Sequence, residues 1–179
     1  NLSEVIFLGN RLERIGANAF ESCIGLERIE LPTSVTYIGN SAFRNCTLLT
    51  GIELPEALEY LGSYAFYGTG NITSCNIPAG VPKILSNTFY SNISLEEVTF
   101  EEGALTDIES FAFYNCDSLT SVKIPQGTIS IGASAFADCN ALTKVRIPDS
   151  VTSIADMAFA NCDGITFYVV KGSYAETCA

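Results

Sequence analysis

Five of the seven cysteines, Cys23, Cys46, Cys116, Cys139 and Cys162, each follow a phenylalanine by three residues. Thiols recurring along a chain suggest zinc ligation, disulfide bridging or nucleophilic catalysis. Zinc needs several ligands converging on one point, commonly closely spaced cysteine pairs joined by histidine. Here there is about one thiol per 23 residues and no histidine anywhere. That absence also removes Ser-His-Asp and Cys-His constellations. Glu96-Glu97 and Glu101-Glu102 are the candidate carboxylate pairs. Strand neighbours point to opposite faces, however, and the second pair falls in an expected turn, so both read as solvated charge. Tryptophan, the usual sugar-stacking residue, is absent, and Gly16, Gly39, Gly62 and Gly132 recur singly, as tight-turn positions rather than a phosphate-binding loop. The chemistry-bearing residues thus point away from an enzyme and call for no cofactor or metal.

The elements that position them repeat. Phenylalanines stand at 20, 43, 66, 89, 113, 136 and 159, at intervals of 23, 23, 23, 24, 23 and 23 residues. Ile or Leu precedes each by five residues (Ile15 to Ile154), and Leu or Ile follows by six (Leu26 to Ile165). Such a period marks a stack of coils that bury one shared core. Leu26-Glu27-Arg28-Ile29-Glu30-Leu31 alternates as a half-buried strand, ended by a proline at 32, and again at 55, 78, 125 and 148. The Gly-x-x-Ala-Phe-x-x-Cys segment suits one inward-packed helical or 3₁₀ turn. The extra residue of the long interval is expected as a bulged turn at Glu101-Glu102-Gly103. Seven coils at about 4.8 Å make a stack of roughly 30–35 Å.

In that stack the cysteines form a row. Parallel Cβ atoms about 4.8 Å apart suit a disulfide poorly, since it wants about 3.8 Å and converging vectors. Thr69 and Asn92 replace the cysteine in two middle coils. All three residue types are small donors able to cap turn carbonyls in a tight interior slot, so the column reads as packing. Cys75 takes a core strand position and reads as buried, Cys178 as exposed in the tail.

The unit I-G-x-x-A-F-x-x-C-x-x-L-x-x-I-x-L-P resembles the 23-residue BspA-like leucine-rich repeats of bacterial surface proteins, over Leu2 to about Thr177. Lys171-Gly172-Ser173-Tyr174-Ala175-Glu176 is similar to that family's closing segment. The resemblance implies an α/β fold: a leucine-rich-repeat solenoid with a parallel sheet on one face and short helical or 3₁₀ turns on the other. It would span 1–179 as one domain, with a partial repeat at 1–14 and a partial cap at 165–179. It also implies a non-catalytic interaction module, secreted or at the cell surface, that adheres to proteins of a host or neighbouring cell. A structural spacer, or a glycan-binding module appended to a surface enzyme, are the alternatives. No signal peptide precedes the pattern, and both ends cut through it, so a piece of a longer precursor is expected.

Acids outnumber bases 20 to 9, for a net charge of −11, which disfavours nucleic acid or anionic membrane as partner. No run of 18 apolar residues is present to span a bilayer. Two outward strand columns follow from the alternation: Glu4, Arg28, Gly51, Ser74, Glu97, Ser121 and Lys144, then Ile6, Glu30, Glu53, Asn76, Thr99, Lys123 and Arg146. Arg28, Glu30, Glu53, Asn76, Glu97, Thr99, Lys123, Lys144 and Arg146 are the candidate partner-binding residues. Lys123, Lys144 and Arg146 gather positive charge at one end, either for an acidic protein segment or sulfated glycan, or simply for solubility. Tyr67, Tyr90 and Tyr114, one residue after the phenylalanine, should form an aromatic ladder that Tyr64 and Phe111 widen. It serves either an interface or its own stacking. Asn-x-Ser/Thr triplets begin at Asn1, Asn45, Asn71 and Asn92, and those at Asn45 and Asn92 read as accidents of turn composition.

Overall fold

A computed structural model describes residues 2–178. Asn1, which opens the first glycosylation-type triplet, and Ala179 lie outside the described residues. Among the described residues fourteen strands, β1–β14 in chain order, fall into two rows. The first row holds β1 (Glu4–Val5), β3 (Arg28–Ile29), β6 (Ser74–Ile77), β8 (Glu97–Phe100), β10 (Ser121–Lys123), β12 (Lys144–Ile147) and β14 (Thr166–Val169). The second holds β2 (Arg14–Ile15), β4 (Tyr37–Ile38), β5 (Tyr60–Leu61), β7 (Lys83–Ile84), β9 (Asp107–Ile108), β11 (Ser130–Ile131) and β13 (Ser153–Ile154). Every pairing is parallel and joins successive coils: β1-β3 and β6-β8-β10-β12-β14 in the first row, β2-β4-β5 and β7-β9-β11-β13 in the second. Parallel strands require a connection that returns to the same end, and one coil of this period supplies it.

The first row is interrupted where residues 51–54 make no strand. Glycine at 51 stands where other coils carry Arg28, Ser74 or Lys144, and its backbone freedom disfavours an ordered strand.

The phenylalanines form one continuous interior stack. Successive ring centroids from Phe20 to Phe159 lie 5.1–5.4 Å apart, with planes within 17° of parallel. Phe43, Phe66, Phe89, Phe113 and Phe136 are fully buried, whereas Phe20 and Phe159 at the ends are half-buried.

The α/β expectation needs correction. Among the described residues the one helix is α1 (Tyr174–Cys178), which buries Ala175 and packs on β13 at the end of the stack. The expected helical or 3₁₀ segments are instead turns whose amides alternate between two acceptors. In the first coil Ala19, Glu21 and Cys23 donate three residues back, at 3.1–3.3 Å. Asn18, Phe20 and Ser22 donate to Asn40, Ala42 and Arg44 of the next coil, at 2.7–2.9 Å. A segment this short cannot repay helix nucleation, while the neighbouring coil offers carbonyls at every step.

Turning alternate amides outward requires left-handed backbone two residues before and after each phenylalanine. Most of those positions carry Asn, Ser, Asp or Gly, which tolerate it; Tyr64, Phe111 and Met157, at φ of 59–60°, do not by nature. Three of the four recurrent glycines, Gly39, Gly62 and Gly132, also need reassignment, from turn positions to contact positions, whereas Gly16 in the first coil meets nothing within 4 Å. A Cβ at Gly62 or Gly132 would stand 2.5–2.6 Å from backbone nitrogen of the preceding coil, so glycine lets the coils approach. The extra residue of the long interval lies in a bend at 102–104, where Gly103 sits against Ala79 and the Ala104 amide donates to the Ala79 carbonyl.

Candidate functional site

The cysteine column is interior. Cys46, Cys116, Cys139 and Cys162 donate to the carbonyls of Phe20, Phe89, Phe113 and Phe136, each in the preceding coil, at 3.0–3.3 Å. Burial pushes the Cys46 thiol up to about 11 and Cys75 up to about 12. Hydrogen bonding within the row, to Cys116 and Cys139, then burial, raises Cys139 and Cys162. Since the thiolate is the reactive form, these thiols are inert fasteners. In the middle coils Asn92 keeps the capping with an amide, donating to Phe66 O (2.7 Å), while Thr69 donates instead to Asn92 Oδ1 (2.6 Å) and so ties the two replacements together. Asn92 is fully buried.

All nine candidate binding residues are exposed on the first-row face. The structure divides them into three groups. Arg28 lies on β3, while Glu30 and Glu53 sit beside the interruption, outside strands. Asn76 and Thr99 are occupied with one another: Thr99 donates to Asn76 Oδ1, and Asn76 Nδ2 donates to Glu101 Oε1, both at 2.8 Å. Glu101 also accepts from the Ala79 amide, so a carboxylate read as free charge in fact pins the bend. Glu97 registers with Ser74 and Ser121. Lys123 and Arg146 are direct cross-strand partners, and Lys144 lies two residues from Arg146 on β12. Sequence reasoning missed Tyr168 on β14, the next register partner of Arg146, whose guanidinium lies 5.6 Å from the ring centroid. The signal was available, because Tyr168 continues the second outward column by one coil.

The tyrosine ladder forms. Tyr67, Tyr90 and Tyr114 stack at 4.8 Å spacing, with Arg44 capping one end 5.2 Å over Tyr67. At the other end the Tyr114 hydroxyl bonds Asp138, raising the tyrosine pKa and lowering that of the carboxyl. Tyr64 and Phe111 lean on Tyr67 and Tyr114 at 5.8 and 5.6 Å. The three stacked rings spend their faces on each other and are half-buried, leaving edges outward.

A second ladder was not foreseen, because only one strand per coil was read. Six residues before each phenylalanine stand Arg14, Tyr37, Tyr60, Lys83, Asp107, Ser130 and Ser153, outward on the second row. Arg14 lies 3.6 Å over Tyr37, which stacks on Tyr60 at 4.5 Å. Asp107 then accepts from Ser130 (2.5 Å), Thr106 (2.8 Å) and Lys83 (3.1 Å), and these bonds, Ser130's first, hold its carboxyl below the usual range. This ladder satisfies itself, whereas the basic end of the first row does not.

Residues 13–139 and 106–176 match the profile of the BspA type leucine rich repeat region, in 6 copies. No curated protein matches the sequence. Among solved structures, a leucine-rich repeat protein from Eubacterium ventriosum superposes with a TM-score of 0.82 at 26% identity. The alignment covers 93% of this chain and 45% of that protein. The Treponema pallidum leucine-rich repeat protein superposes at 0.58 with 31% identity, over 87% of this chain and 62% of that one. The chain therefore spans less than two thirds of the length of either relative.

Proposed function

The chain belongs to the BspA type leucine-rich repeat family, and from that premise we propose that it is a non-catalytic interaction module of a secreted or surface-displayed bacterial protein. Leucine-rich repeats of this kind are generally protein-interaction scaffolds. The partner in this reading is a protein of a host or neighbouring cell, held across the first-row face. One observation carries it: five consecutive strands, β6 to β14, present an exposed grid of polar and charged side chains. Grid spacing is about 4.8 Å between strands and about 6.8 Å along them. Rigid, flat arrays of this sort suit multipoint polar contact without conformational change. No helix among the described residues is long and apolar enough to cross a membrane.

The test is a binding screen against immobilised extracellular-matrix proteins, comparing Glu97→Lys/Thr99→Arg at the grid centre with Tyr90→Ser on the turn face. Loss of capture for the first and retention for the second is the expected outcome. Capture that ignores the grid substitutions refutes the assignment of the binding face.

A further inference from the structure

We propose that the end of the first-row face formed by Lys123, Lys144, Arg146 and Tyr168 is a binding site for an acidic polysaccharide bearing sulfate or uronate groups. This rests on reading that face as a binding surface, but not on a protein partner. Lys123 and Arg146 are register partners on adjacent strands, with Lys144 two residues along. The three positions therefore lie within about 5–8 Å of one another, the Lys123–Lys144 diagonal being the longest. Like charges directly opposite on a sheet are destabilising. Elsewhere Arg44 meets Glu21 at 3.4 Å and Lys83 meets Asp107 at 3.1 Å, while Arg28 and Arg14 register with Glu4 and Tyr37 rather than with another cation. At this end Lys123 alone finds a carboxylate, Glu102 at 3.9 Å, with both side chains more than 60% exposed. Among the described residues neither Lys144 nor Arg146 has an ion-pair partner. In a chain of net charge −11, an uncompensated positive cluster is the place where an external anion is attracted rather than repelled.

The neighbouring side chains select the class of anion. Ser121 and Thr166 flank Lys144 in register and add hydroxyls, while Tyr168, 45% exposed, offers an apolar ring beside Arg146. Ser121, Lys123, Lys144, Arg146 and Tyr168 line one depression of the face. Cations for acid groups, hydroxyls for ring hydroxyls and an aromatic plane for the apolar face of a pyranose together match an acidic sugar. An acidic peptide fits less well. Peptides captured by sheets add to an open edge or bury anchors in an apolar groove. Here the three cations stand on β10 and β12, each paired on both sides, and their side chains project from the face of the sheet rather than along the end strand β14.

The experiment measures binding of the folded chain to dextran sulfate, polygalacturonate, neutral dextran and poly-L-glutamate at about 0.05 and 0.2 M salt, a range over which screening changes appreciably. Expected is binding to one or both acidic polysaccharides, weakened by salt, and none to neutral dextran; which of the two binds identifies sulfate or uronate as the group read. Lys144→Glu/Arg146→Glu, and the neutral Lys144→Gln/Arg146→Gln, should each lower affinity at least about tenfold. Tyr168→Ser should weaken polysaccharide binding while leaving any poly-glutamate binding unchanged. All these side chains are exposed, and unchanged melting temperatures verify the variants' fold. Failure of both acidic polysaccharides to bind, indifference to the paired substitutions, indifference of polysaccharide binding to Tyr168→Ser, or equal binding of poly-glutamate would each overturn the proposal. Absence of polysaccharide binding by the unaltered chain, with its matrix-protein capture intact and sensitive to the grid substitutions, would sink this inference alone, since that screen reads Glu97 and Thr99 at the grid centre.

Discussion

Replacing Thr69 by valine deletes one hydroxyl and changes almost no volume, which isolates a single buried hydrogen bond. The Thr69 hydroxyl has one proton and two acceptors in range, Asn92 Oδ1 at 2.6 Å and Phe66 O at 2.9 Å. Because Asn92 Nδ2 already supplies Phe66 O at 2.7 Å, the proton belongs on Asn92 Oδ1. Both residues are fully buried, so no water replaces the lost donor. Leaving a buried acceptor unpaired costs about 1–3 kcal/mol. At about 2 kcal/mol a chain of this size melts roughly 4–8 °C lower. Asn92→Ala removes the acceptor as well, and the Thr69 hydroxyl can then turn to Phe66 O. The double variant should therefore cost less than the sum of the singles by about 1 kcal/mol, in the range for contacting residues. Urea unfolding measures it, followed by circular dichroism and by tyrosine fluorescence, the chain having no tryptophan. Coincident transitions license the two-state free energies. Singles that add to within about 0.3 kcal/mol would refute the proton assignment and the paired capping role built on it.

Phe89→Ala removes a ring held between neighbours at 5.4 and 5.2 Å and should cost about 3–5 kcal/mol in the same assay, with half-buried Phe20→Ala clearly cheaper; equal costs would deny the continuous core. Met157→Gly relieves a bulky, exposed residue at φ 60° and should stabilise by about 1 kcal/mol, seen as a raised melting temperature; a lowered one contradicts the strain assignment. Gly51→Thr meets no atom within 4 Å of its new Cβ and should gain roughly 0.5–1 kcal/mol by extending the sheet across residues 51–54, with a lowered urea midpoint as the contrary result. Folding raises the Cys46 and Cys75 thiols to about 11 and about 12, so the native state keeps protons that the unfolded chain releases near its ordinary thiol pKa. Their stabilisation is complete below about pH 8.5 and declines as pH rises toward those values, so the urea midpoint should drop from about pH 8 to 10.5, less steeply in Cys75→Val. A flat profile would rule this out.

The spacing of Phe20 to Phe159, with Ile and Leu at constant offsets, was enough to specify stacked parallel coils and one aromatic core, because a 23-residue unit with a single apolar stripe has nowhere else to bury it. The outward alternation likewise placed Lys123, Lys144 and Arg146 on one face, since strand period alone fixes which side chains share a side. Three things depended on the tertiary arrangement. The turns are not helical, because the competing acceptors for Asn18, Phe20 and Ser22 belong to the next coil, 22 residues away. Arg14, Tyr37 and Tyr60 form a ladder only because a second strand row exists, two residues per coil and too short to signal itself. And whether a charge is spent or available, Lys83 neutralised by Asp107 while Lys144 and Arg146 have no ion-pair partner among the described residues, is decided by distances between coils, which composition does not encode.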